Sequence, residues 1–171
     1  LTELAEIATL RGQADAAGAF LQGAARLWTE AGRRSGLYQV EAVRALASLA
    51  GGATTFLPGL LDGPVEYAAE RGLTLVEARC RLARGLCRIA GGSEVAWADL
   101  DAAILLADTA EAPLLAGRVR LERARVGLGE EGGPPQVRDL EQAVELLSGD
   151  RVWQSRALAF LAHRLAGARP V

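Results

Sequence analysis

Half of the 171 residues are hydrophobic, 5% are aromatic, and the formal net charge is −2 with a pI near 5.5. That length suffices for a continuous core, and the missing basic excess argues against direct contact with a nucleic-acid backbone. All 19 basic residues are arginine and Met is absent; with no apolar run near the roughly 20 residues of a membrane span and no basic-then-apolar leader, the chain reads as a cytoplasmic piece of a longer polypeptide with no membrane partner.

Ala and Leu dominate the apolar set, and both keep most of their freedom in a helix, so the composition points to an all-α fold. Breaks at Gly12, Gly51-Gly52, Gly91-Gly92 and Gly132-Gly133 recur with a period near 40 residues. A second series falls between them, at Gly32 to Gly36, Gly72, Thr109 to Pro113 and Ser148 to Asp150. Two interleaved breaker series with one period mean two helices per repeat. In chain order the predicted helices are 1–11, 13–31, 36–50, 57–71, 74–90, 93–109, 112–129, 135–148 and 151–166. The fourth, with Pro58, Gly59, Gly63 and Pro64, is expected to be bent or shortened. Helical spacing places Leu4, Ile7 and Ala8 on one face of the first helix, Val43, Leu46, Ala47 and Ala50 on one face of the third, and Leu158, Leu161, Ala162 and Leu165 on one face of the last. The pairs therefore cover about 1–32, 36–72, 74–110 and 112–149 of one domain, with a last helix at 151–166.

The first pair carries Leu4-Ala5, Ala8, Gly12, Ala17, Leu21 and Ala24-Ala25. This alternation of small and large residues resembles the tetratricopeptide repeat, in which the first helix of a unit nests against the second. Leu46-Ala47 with Ala50, Leu82-Ala83 with Leu86, and Leu158-Ala159 with Ala162 repeat the first-helix signature, while Leu121-Glu122 departs from it. The period is longer than the family's 34 residues, and Leu and Ala replace its usual Trp and Tyr. The resemblance implies a right-handed αα-superhelix of four pairs plus a final helix. It extends to the helical-repeat regions of large bacterial transcriptional regulators. It implies a non-catalytic module that holds a protein or peptide partner, or a second copy of itself, on its concave face; the alternative is a regulator's sensing domain for a small-molecule effector.

Carried onto the inward-facing offsets of that family, Arg44, Arg84, Arg88, Arg123, Arg156, Phe160 and His163 form the concave face, with Cys80 and Cys87 among them. Four or five arginines there would hold carboxylates or phosphates by forked hydrogen bonds. The competing reading is a solvated face whose arginines pair with acids one turn away. No catalytic, metal or cofactor site is expected. His163 stands alone in the sequence, no phosphate-binding loop is present, and Glu130-Glu131 and Asp99/Asp101 read as turn and surface carboxylates. Cys80 and Cys87, about 10.5 Å apart along one helix, are too distant for a disulfide and read as small buried apolar groups. Trp28, Trp97 and Trp153 lie near helix ends and are expected to pack between helices.

Overall fold

The glycine punctuation takes one structural form at five of its breaks in the computed structural model, which describes residues 1–52, 58–93, 95–127 and 134–167. Backbone φ is positive at Gly12, Gly32, Gly52, Gly72 and Gly92, and Glu111 occupies the same conformation at 50° one turn later. At Gly12 the amide donates to the Thr9 carbonyl at 3.0 Å, and the next amide, Gln13, reaches back to Ala8 at 2.9 Å. This crossed pair of bonds closes the helix by satisfying its orphan carbonyls, and it requires a left-handed residue that glycine adopts without a Cβ penalty. The same pair recurs as Arg33 to Trp28, Leu73 to Ala68, Ser93 to Arg88 and Ala112 to Ala107. The helices so bounded are α1 Thr2–Leu10, α2 Ala14–Glu30, α3 Arg34–Ala50, α4 Asp62–Glu70, α5 Thr74–Ala90, α6 Ala96–Thr109, α7 Pro113–Val126, α8 Pro134–Leu146 and α9 Arg151–Gly167. No strand occurs among the described residues, so the chain is all-α.

The expected irregularity around Pro58 and Gly59 is a 3₁₀ turn, Pro58–Leu61, that leads into a nine-residue α4. One break is of another kind: Gly36 lies inside α3, where a Cβ would run into the Trp28 ring. It is a contact glycine, and α3 starts before it, at Arg34. Gly132-Gly133 and Glu130-Glu131 fall outside the described residues.

The chain divides into two compact units, 1–102 and 103–171. In the first, α3 is the central helix. Val40 and Val43 join Ala5, Leu21 and Ala24 in one core, with Trp28 packed against it. Ala42 and Ala45, on the other side of α3, join Leu61, Val65, Ala68, Val76, Cys80, Ala83 and Cys87 in a second core. Alternate helices touch, α1 with α3 and α3 with α5, in addition to the hairpin packing of α1 with α2 and α4 with α5. In the second unit α7 packs on α8, α8 on α9 and α7 on α9, around Val119, Leu121, Leu140, Ala143, Leu147 and Ala157.

Small residues make this packing close. A Cβ on Gly85 would lie 2.9 Å from Leu100 Cδ2 and 3.2 Å from the Ala96 carbonyl, and one on Gly117 would lie 2.8 Å from Leu147 Cγ. The faces of the end helices also differ from those expected. Ala5 and Ala8 are buried in α1 while Leu4 and Ile7 are 46% and 41% exposed. In α9, Trp153 and Ala157 are buried while Leu158 and Leu165 are about half exposed. In α1 an interface built on methyl groups lets the backbones approach and leaves the longer side chains on the helix flank, whereas in α9 the buried stripe runs through Trp153 and Ala157. Among the described residues no helix is long and apolar enough to cross a membrane.

Candidate functional site

Two features of the first unit are candidates for a site: an ion-pair cluster on α5 and an open groove beside α3. The cluster begins with helical spacing. Glu77, Arg81, Arg84 and Arg88 are three or four residues apart on α5 and so share a face. Asp99, in the first turn of α6, and Asp62, in the first turn of α4, are brought against that face. Arg84 forks onto Asp99, Nε to Oδ2 at 3.0 Å and Nη2 to Oδ1 at 2.6 Å, while its Nη1 donates to Asp62 at 2.8 Å. Arg88 bridges the same two carboxylates at 2.8 and 2.9 Å. Arg81 donates to Glu77 at 2.7 Å and reaches Asp99 at 3.4 Å. Three cations thus meet three anions, and the Asp99 side chain at the centre is 4% exposed. Burial by itself disfavours the Arg84 cation, but the hydrogen bonds and charges of Asp99 and Asp62 outweigh it, so its pKa is raised. Asp99, read from sequence as a surface carboxylate, is the buried hub of this cluster.

The arginines of the expected concave face are therefore in different circumstances. Arg84 and Arg88 come together, held by acids of their own chain. Arg123, in the second unit, forks onto Asp139 with Nε to Oδ2 at 2.7 Å and Nη2 to Oδ1 at 2.6 Å. Arg156 and Arg118 lie over the buried Trp153 ring at 5.2 and 4.4 Å, a cation–π arrangement. Phe160 is half-buried and His163 exposed. Arg44 is exposed and lines the groove, and among the described residues it has no acidic partner.

That groove encloses about 590 Å³ within the first unit. The α1–α2 turn and the start of α2 supply Gly12, Ala14, Ala17 and Gly18, with Leu21 deeper. The last half of α3 supplies Arg44, Ala47 and Ser48. Its walls are mostly Gly and Ala because two helices and a tight turn converge there, so the space is largely apolar, with Arg44 the one charged side chain among the described residues that line it. The size falls in the range that accepts a small organic ligand. The groove escaped the sequence reading because Gly12 and Gly18 carry no chemical signal of their own.

Cys80 and Cys87 face the second core and are buried. Burial pushes the Cys80 thiol up to about 12, with the Glu41 charge adding to it, and the Cys87 thiol up to about 11. The Cys80 thiol donates to the Tyr38 carbonyl at 3.7 Å, a weak tie to α3. Both groups are thus held as neutral thiols, far from the thiolate that nucleophilic or metal chemistry needs. Among the described residues no three His, Cys, Asp or Glu side chains are grouped to hold a metal ion. Comparison with known protein families, with curated proteins and with solved structures finds no match for the chain.

Proposed function

We propose that the chain is a non-catalytic binding module, a stack of tetratricopeptide-like helix pairs that holds a segment of a partner protein along the face made by the first helix of each pair. One observation carries the reading: the first helices of successive pairs touch one another, α1 with α3 and α3 with α5. Each pair alone buries little, whereas stacked pairs share cores and leave a continuous face. A right-handed superhelix is the arrangement in which that face becomes concave. The groove beside α3 is where this face is open rather than closed by ion pairs.

Gly18→Leu tests the reading. Gly18 sits in the second turn of α2, and a Cβ there meets nothing within 4 Å, so the larger side chain fills the groove while improving helix propensity by about 1 kcal/mol. Peptides selected from a displayed library against the wild-type chain should lose binding to this variant. Selected peptides that bind both proteins equally would place recognition elsewhere, and a library that yields no specific binder would remove the partner-protein reading.

The size of the groove favours a second reading, a domain that senses a small-molecule effector for a larger regulatory chain. Its cytoplasmic placement follows from the same reading.

A further inference from the structure

Arg44, Arg84 and Arg123 stand 40 and 39 residues apart at one position of the repeat. At two of these positions the arginine is met in the same way, Nε and Nη2 gripping the two oxygens of one aspartate from the following helix, 15 residues on for Arg84 and 16 for Arg123. Arg84 takes a second aspartate, Asp62, from the helix before it. Around Arg44 no such grip forms among the described residues. The first turns of the helices before and after α3 carry Asp15 and Asp62, but Asp62 is taken by Arg84 and Arg88 and Asp15 makes no ion pair with Arg44. Where Arg88 extends the cluster, the equivalent position is Ser48, one helical turn from Arg44. Both Arg44 and Ser48 open onto the apolar groove of about 590 Å³.

We infer that this groove binds a small organic acid, its carboxylate gripped by the Arg44 fork and the Ser48 hydroxyl and its aliphatic body lying on Ala14, Ala17 and Gly18. The chemistry is copied from within the chain, because a planar carboxylate is what the equivalent arginines hold, and a bidentate pair is the geometry a guanidinium is shaped for. An exposed arginine at the groove, without an acidic partner among the described residues, matches one negative charge. The apolar walls select against a bare anion such as acetate. The assignment rests on the second reading above, that the groove receives a small effector.

Titration of the whole chain with octanoate, followed by amide and arginine side-chain NMR shifts, tests it. Saturable shifts are expected at Arg44 Nε and along the groove, with octanol and acetate each bound at least about tenfold more weakly. Arg44→Ala should weaken octanoate about tenfold, and Arg44→Lys, which keeps the charge but loses the fork, by less. Gly18→Leu should abolish the shifts. Octanol binding as well as octanoate, or affinity unchanged by Arg44→Ala, would overturn the carboxylate assignment while leaving the groove. Octyl phosphate binding as tightly as octanoate would overturn the choice of carboxylate. Octanoate shifts that survive Gly18→Leu would instead remove the groove itself, and with it the effector reading.

Discussion

Replacing Asp99 by Asn removes one charge from the centre of the α5 cluster while keeping its size and one acceptor oxygen. In the native chain that carboxylate receives two bonds from Arg84, one from Arg88 and a longer one from Arg81. Taking one partner from a buried ion pair costs about 3–5 kcal/mol because the remaining charges stay desolvated. Here the three arginine side chains keep 11–24% of their surface exposed, and Asp62 and Glu77 remain as partners, which places the cost near the low end, about 3 kcal/mol. Arg84→Met is the informative comparison. It leaves Asp99 with Arg88 and Arg81, so the expected cost is smaller, about 1–2 kcal/mol. Urea unfolding followed by circular dichroism at 222 nm resolves the two. A loss below about 1 kcal/mol for Asp99→Asn, or an equal loss for both variants, would show that the cluster is a solvated surface network and not a buried hub.

Gly117→Ala and Gly72→Ala should both destabilise, for different reasons. The first drives a methyl group against Leu147 and Leu146 and should cost about 1–3 kcal/mol despite the better helix former. The second meets open space but strains a left-handed turn and should cost about 1 kcal/mol, with Gly72→Asn recovering part of it in thermal melts. Stability should also fall in alkali. The folded thiols titrate near 12 and 11 against 9.0 for an ordinary cysteine, so above pH 9 the unfolded chain loses protons that the folded chain keeps. The stability conferred by the neutral thiols is complete below that pH and is lost as pH rises toward 12. The double variant Cys80→Ala, Cys87→Ala should flatten this decline in denaturation measured from pH 8 to 11; an unchanged slope would contradict the burial of both thiols.

The helices were legible because their ends are written in backbone chemistry. A residue that must adopt positive φ is nearly always glycine, so Gly12, Gly32, Gly52, Gly72 and Gly92 mark their turns in the sequence as clearly as in space. The shortened α4 was legible for a related reason, since Pro58 and Pro64 restrict where a helix can run. Gly36 was not legible as a contact, because a glycine under an indole ring and a glycine in a turn look identical in sequence. The face of α1 was obscured because periodicity weights Leu above Ala, although closeness of approach favours the smaller side chain, and that of α9 because the buried stripe runs through Trp153 and Ala157 and not through the leucines. In the candidate site, the arginines were visible and their partners were not. The spacing that links Arg84 to Asp99 and Arg123 to Asp139 was present in the sequence, but it acquires meaning only when successive helices are seen to lie side by side.

The recurring helix closure makes the chain a set of interchangeable cassettes. Each closure is made by the same backbone hydrogen bonds, so a segment cut after one left-handed glycine can be rejoined after another with those bonds re-formed. Excising residues 33–72 would lead α2 directly into α5 through the Gly32 closure, removing Arg44 while retaining Arg84 and Asp99. Chains built on such joints can lengthen or shorten by whole helix pairs, and in doing so gain or discard an arginine position such as Arg44 in a single recombination step.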